Sequence, residues 1–133
     1  MECKFAFLCD YAEEAGGKLH AVGIGWDTIY TQVPASHPML CFVASVHGTI
    51  AESGTKEVML RIIDADGEDV IPSQQQSLPF VVNPPQLYGK INFVIQLGGL
   101  TFKKHGSYAI HLLVQGNEMG PVAFNVSPPP TTA

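Results

Sequence analysis

Trp26 is the only tryptophan in the chain, and it stands beside the acid Asp27 in the segment Gly23-Ile24-Gly25-Trp26-Asp27. An indole offers a large apolar face with one N–H donor, and a carboxylate adds charge, so the pair has the makings of a recognition surface. The glycines on either side of Ile24 let the backbone bend or bulge inside an otherwise extended stretch. Two placements follow. Trp26 packs between sheets with Asp27 capping a loop amide, or the bend turns Trp26 outward as an anchor for a small ligand or partner. Catalytic groupings are not found elsewhere. Cys3, Cys9 and Cys41 lie within apolar alternating patterns, and no Gly-x-Ser-x-Gly is present to expose a serine nucleophile. Five histidines raise the question of a metal, but no His-x-His or Cys-x-x-Cys spacing occurs, so no metal or other cofactor is expected. Asp64-Ala65-Asp66-Gly67 opens like a calcium loop, yet Val70, Ile71 and Pro72 interrupt the alternating oxygen ligands such a loop needs. Gly67 reads instead as the positive-φ residue of a hairpin turn. Glu13-Glu14 reads as a solvated turn. The expectation is a protein that is not an enzyme.

The elements that must carry these residues are strands. Ile91, Phe93, Ile95 and Leu97 alternate with Asn92, Val94 and Gln96, and Tyr108, Ile110, Leu112 and Val114 alternate with Ala109, His111 and Leu113. Period two places one set on a core face and the other outside. By the same rule Cys3, Phe5, Phe7 and Cys9 share a core face, with Ala6 and Leu8 opposite. Strands are expected near residues 3–9, 18–23, 25–32, 39–49, 56–64, 78–83, 89–97, 107–115 and 120–126. Turn signals separate them at Ala15-Gly16-Gly17-Lys18, Glu52-Ser53-Gly54, Asp64–Gly67 and Gln115-Gly116-Asn117-Glu118. The fold class is all-β: an antiparallel, immunoglobulin-like β-sandwich of about 7–9 strands. Leu100 and Gly106 stand eight and two residues before Tyr108, which resembles a tyrosine corner, with Tyr108 bonding backward to the chain and Gly106 relieving crowding at the bend. The cysteine of an antibody-type domain is absent, because Ile110 holds that position. One domain is expected over 1–127, followed by a Pro-rich tail over 128–133 that cannot join a sheet ladder.

Charged residues make up only 14% of the chain, against about 25% in ordinary domains. Outer strand faces are also unusually apolar, with Met59, Ile63, Val94, Ala109 and Leu113 where a monomeric sandwich carries polar residues. Both features argue for burial in an assembly, so a homo-oligomer or protein partner is expected. With a formal net charge of −5 and one small basic cluster, Lys103-Lys104-His105, no nucleic-acid partner is expected. No membrane partner is expected either, since the longest apolar run is about eight residues at Met39–Val46, far below a ~20-residue span. Met1-Glu2-Cys3-Lys4 lacks the basic start of a signal peptide. Cys3 and Cys9 are about 20 Å apart along one strand, too far to bridge, so the thiols are expected free and the compartment cytoplasmic.

Phe7-Leu8-Cys9-Asp10-Tyr11-Ala12, Gly17-Lys18-Leu19, Gly23-Ile24-Gly25-Trp26-Asp27-Thr28-Ile29 and His37-Pro38 together resemble a family of short uncharacterised bacterial proteins. The resemblance implies a stand-alone cytosolic β-sandwich and carries over no catalytic residues. The leading expectation is therefore a non-enzymatic, self-associating binding or assembly module. A small-ligand-binding sandwich that uses the Gly23–Asp27 segment is the alternative. A jelly-roll metal-dependent enzyme is disfavoured, because its clustered histidine and glutamate signature is missing.

Overall fold

Eleven strands run through residues 1–130, the part of the chain that the computed structural model describes. They are β1 (Glu2–Cys9), β2 (Tyr11–Ala15), β3 (Lys18–Val22), β4 (Thr28–Tyr30), β5 (Ala35–Thr49), β6 (Gly54–Ile63), β7 (Gln74–Phe80), β8 (Tyr88–Phe102), β9 (Gly106–Val114), β10 (Asn117–Glu118) and β11 (Val122–Ser127). A single 3-10 turn, Ile50–Glu52, links β5 to β6. Three sheets result. One has the order β1-β5-β8, a second runs β4-β11-β9-β6-β7 with β10 attached to β9, and the third is the β2–β3 hairpin. The first two pack face to face over one core. Leu40, Phe42, Ala44 and Val46 of β5 meet Leu60, Ile62, Ile110, Leu112, Phe124 and Val126 from the other sheet.

The architecture is the all-β sandwich that alternation implies, with more strands than the expected 7–9. The additional ones are β2 and the two-residue β10, while the strand expected over 25–32 shortens to β4. Glu13 and Glu14 lie within β2 rather than in a turn, because the turn falls at Gly16-Gly17. The pairing is not wholly antiparallel: β4 runs parallel to β11, with Asn125 opposite Thr28 and Ser127 opposite Tyr30. β7 begins four residues earlier than expected and β5 begins at Ala35, which puts His37 on a strand. Gln74-Gln75-Gln76 carries no apolar alternation, and its extended form comes from backbone pairing to Leu60, Met59 and Val58 of β6.

From Phe5 onward the facing of β1 is the reverse of the one expected, while Cys3 stays on the core side. Cys3 pairs with Val46 and Phe5 with Ser45, so Lys4 is an extra residue at a bulge. One inserted residue flips every side chain that follows. Leu8 therefore enters the main core, with Ala6 against it, while Phe7 and Cys9 turn to the outer face and Phe5 remains 44% exposed. That outer face is partly roofed by the β2–β3 hairpin. Ala12, Leu19 and Ala21 pack there on Phe7, Cys9, Cys41, Val43 and Val94 in a second, smaller core. Val94 is thus covered from within the molecule and is no evidence for a partner.

Tyr108 is 3% exposed, and its hydroxyl donates to the Lys104 carbonyl at 2.6 Å, four residues upstream. Gly106 has φ +136° with open space where a Cβ would lie, so it is the backbone conformation and not crowding that calls for glycine. Gly67, at φ +80°, closes a turn in which Gly67 N donates to Asp64 O at 3.0 Å. The Asp64 carboxylate accepts from the Asp66 and Glu68 amides at 2.9 and 3.0 Å, so its oxygens serve the turn. Residues 128–130 have no regular structure, and the rest of the expected tail, 131–133, lies outside the described residues.

Cys9 and Cys41 are cross-strand partners buried beneath the hairpin, and all three cysteines are free thiols. Burial, reinforced by Cys41, pushes the Cys9 thiol up to about 11, and burial raises Cys41 as well. Thiolate is the reactive form. In the native protein Cys3 should therefore react with a thiol reagent well before Cys9 and Cys41. Denaturation without reductant should then expose three thiols. A count of one would mean that Cys9 and Cys41 had bridged.

Candidate functional site

The Gly23–Asp27 segment is a loop joining the hairpin to β4, not a bulge within a long strand. The chain has to cross from one sheet to the other here, and two positive-φ residues, Gly23 (+72°) and Gly25 (+97°), make the reversal. Trp26 ends up half-buried. Its ring meets Phe124 edge-on at 6.5 Å and lies tilted to His37 at 6.4 Å. Phe102, Tyr108 and Phe124 continue this contact into the core, with centroids 5.0 to 5.9 Å apart. The aromatic core thus supports Trp26 from below while its other side lines a cleft of about 560 Å³.

The cleft is walled by Trp26, Tyr30, His37 and Phe102, with hydroxyls from Thr28, Thr31 and Ser36 and one carboxylate, Asp10. Both expected placements of Trp26 meet in this geometry, since it packs on the core and faces the cleft. Asp27 does not. It is exposed, accepts from the Thr28 hydroxyl at 2.9 Å, and its carbonyl takes the Asn125 amide at 2.8 Å, which fixes the start of the β4–β11 pairing. Its carboxylate caps no loop amide.

Asp10 is the acid that sequence reasoning missed. It sits between β1 and β2, where its amide donates to Val22 O at 3.0 Å and closes the base of the hairpin. Its carboxylate lies over Gly23 so closely that a Cβ there would fall 2.2 Å from Oδ2. The only available signal was indirect: Asp10, Trp26 and His37 belong to three of the separate segments that carry the family resemblance, and the fold brings those segments to one place. Among the described residues, one buried side-chain polar atom has no hydrogen-bond partner, and it is Trp26 Nε1. Native structures rarely leave such a donor unpaired.

Other polar groups are already engaged. Lys104 of the basic cluster lies 3.3 Å from Asp64 and is also held by Asp66, and His105 Nε2 donates to Thr31 O at 2.8 Å. Buried Ser45 donates to Asn92 Oδ1 at 2.9 Å, so His47 Nε2, 3.0 Å from the same hydroxyl, acts toward it as a donor and not as a base. No three His, Cys, Asp or Glu side chains among the described residues are grouped to hold a metal ion. No helix is long and apolar enough to cross a membrane.

A family model matches residues 4–127, which is nearly the whole chain. The chain belongs to DUF6941, a family of unknown function. Among curated proteins none matches it. Among solved structures, this DUF6941 chain is similar to Pseudomonas fluorescens alkylpurine DNA glycosylase AlkC bound to DNA containing an abasic site analog. The TM-score is 0.51 at 13% identity, over 76% of this chain and 28% of that one. The chain thus spans less than a third of that protein's length, and the likeness is one of fold.

Proposed function

We propose that this protein is a non-enzymatic β-sandwich that binds a small ligand in the Trp26 cleft. The observation that carries the reading is the sole tryptophan, propped on the core by Phe124, lining a cleft of ligand size with its indole N–H unpaired. The non-catalytic part rests on nucleophiles that are not activated: the Cys9 thiol is pushed up to about 11, and the Ser45 hydroxyl donates its hydrogen bond to Asn92 Oδ1 and not to a base. With Lys104 neutralised by Asp64 and Asp66 and a net charge of −5, the surface favours no nucleic-acid partner. We read the Tyr108–Lys104 bond as an immunoglobulin-type corner and the free thiols as a mark of a bacterial cytoplasm. The test is a metabolite panel read by Trp26 fluorescence and thermal shift. A binder should raise the melting temperature of the native protein and lose that effect in Trp26→Ala. A panel in which no member changes either signal counts against the reading.

Self-association is the second reading, and specific surfaces favour it. Tyr88 is 70% exposed and Leu87 61%, and the facing edges of β7 and β8 leave a groove of about 540 Å³ over Leu60, Leu97 and Leu112. Unpaired strand edges invite a further strand. Light scattering at micromolar concentration separates the two, since a species of 14.3 kDa is a monomer. If a dimer forms through the outer face of the six-stranded sheet, where Leu113 sits opposite Met59, then Leu113→Lys should dissociate it.

A further inference from the structure

We infer that the ligand of the Trp26 cleft carries a positively charged nitrogen, as an ammonium or guanidinium group, on a body about the size of an amino acid. The inference rests on the binding reading above and deepens it. The cleft wall contains no Lys or Arg, and Asp10 is its one carboxylate. That carboxylate takes part in no hydrogen bond or ion pair with any described side chain, so it is free to meet a ligand, unlike Asp64 and Asp66, which hold Lys104, and Asp69, which meets Arg61 at 3.1 Å. Asp10 is also placed with little freedom. Its amide is tied to Val22 O, and the space its carboxylate occupies exists only because residue 23 has no side chain.

The rings of Trp26, Tyr30 and His37 line the same cleft as this acid. Aromatic faces attract a cation through the ring quadrupole, and a carboxylate does so through its charge, so one bound cation satisfies both. An anion would be repelled by Asp10 and meets no Lys or Arg to offset that, in a protein whose net charge is already −5. The volume of about 560 Å³ suits a compact molecule and not a polymer. The indole N–H adds a second requirement. Trp26 Nε1 is buried and unpaired, so a ligand that reaches it has to bring an acceptor, which an amide carbonyl of an amino-acid derivative supplies.

The deciding comparison is between N-acetyl-arginine amide and N-acetyl-citrulline amide, which share shape and acceptors and differ in charge. Both are titrated into the full chain and followed by Trp26 fluorescence and ligand-observed NMR. N-acetyl-lysine amide and choline extend the cations, and N-acetyl-glutamate is the anion. The arginine compound should bind at least about tenfold more tightly than the citrulline compound, and rising salt should shrink the difference. Asp10→Asn should abolish the preference, so that the arginine and citrulline compounds bind alike. Equal binding of arginine and citrulline compounds would overturn the charge assignment and leave the cleft standing as a neutral-ligand site. If no probe of any charge binds the wild-type chain, the assignment falls together with the binding reading. The arginine–citrulline comparison needs no variant, so it stands even where Asp10→Asn folds poorly.

Discussion

Phe124→Ala should destabilise the protein by about 3–5 kcal/mol, the range for deleting a fully buried phenylalanine. Phe124 is 1% exposed and touches three rings: Tyr108 stacked at 5.4 Å, Phe102 edge-on at 5.9 Å and Trp26 edge-on at 6.5 Å. No neighbour can move into the gap without breaking its own ring contacts, so the cavity stays open and the upper part of the range applies. A second effect goes with it, because Trp26 loses its support and its emission should shift to longer wavelength before global unfolding. Tyr108→Phe supplies the scale. It keeps the ring and removes only the bond to Lys104 O, leaving that carbonyl without its donor, which costs about 1–3 kcal/mol. Denaturant midpoints at constant m-value measure both. If Phe124→Ala costs no more than Tyr108→Phe, the ring cluster is not the keystone of this end of the sandwich.

The second large effect concerns Gly23, with Gly25 as its control. Both residues hold φ in the left-handed region, +72° and +97°, where any L side chain costs about 1–2 kcal/mol. They differ in surroundings. A Cβ on Gly23 would lie 2.2 Å from Asp10 Oδ2 and 2.6 Å from its Cγ, whereas one on Gly25 meets nothing within 4 Å. Both Gly23→Ala and Gly25→Ala should lose the stability set by the shared backbone strain, but only Gly23→Ala should in addition drive the Asp10 carboxylate away from the cleft. Titration of N-acetyl-arginine amide should show affinity falling to the level of Asp10→Asn in the first variant and holding near wild type in the second. Matching affinities in the two alanine variants would mean that Gly23 does not position Asp10.

What the amino-acid order determined by itself was local. Alternation from Tyr108 to Val114 separates the buried and outer faces of β9 correctly, because side-chain direction within one regular strand depends only on parity. Gly16-Gly17, Asp64–Gly67 and Gln115-Gly116 mark real turns for the same local reason, since positive φ favours glycine, with Gln115 at φ +52° the one non-glycine among the described residues to adopt it. The all-β class followed from these short periods. Parity failed in β1, where the bulge at Lys4 exists only in relation to β5, and one extra residue exchanged the faces of Phe5, Phe7 and Leu8. The apolar outer face, which in isolation argues for a partner, is partly covered by the β2–β3 hairpin, an arrangement no strand pattern encodes. The cleft was legible in part. Trp26 stood out by type, but its companions Asp10, His37 and Phe102 come from distant stretches of chain. Asp27, the neighbour in sequence, is drawn off by its carbonyl bond to Asn125. Which acid faces the tryptophan was decided by how the hairpin closes over Gly23, and that depends on two sheets meeting in space.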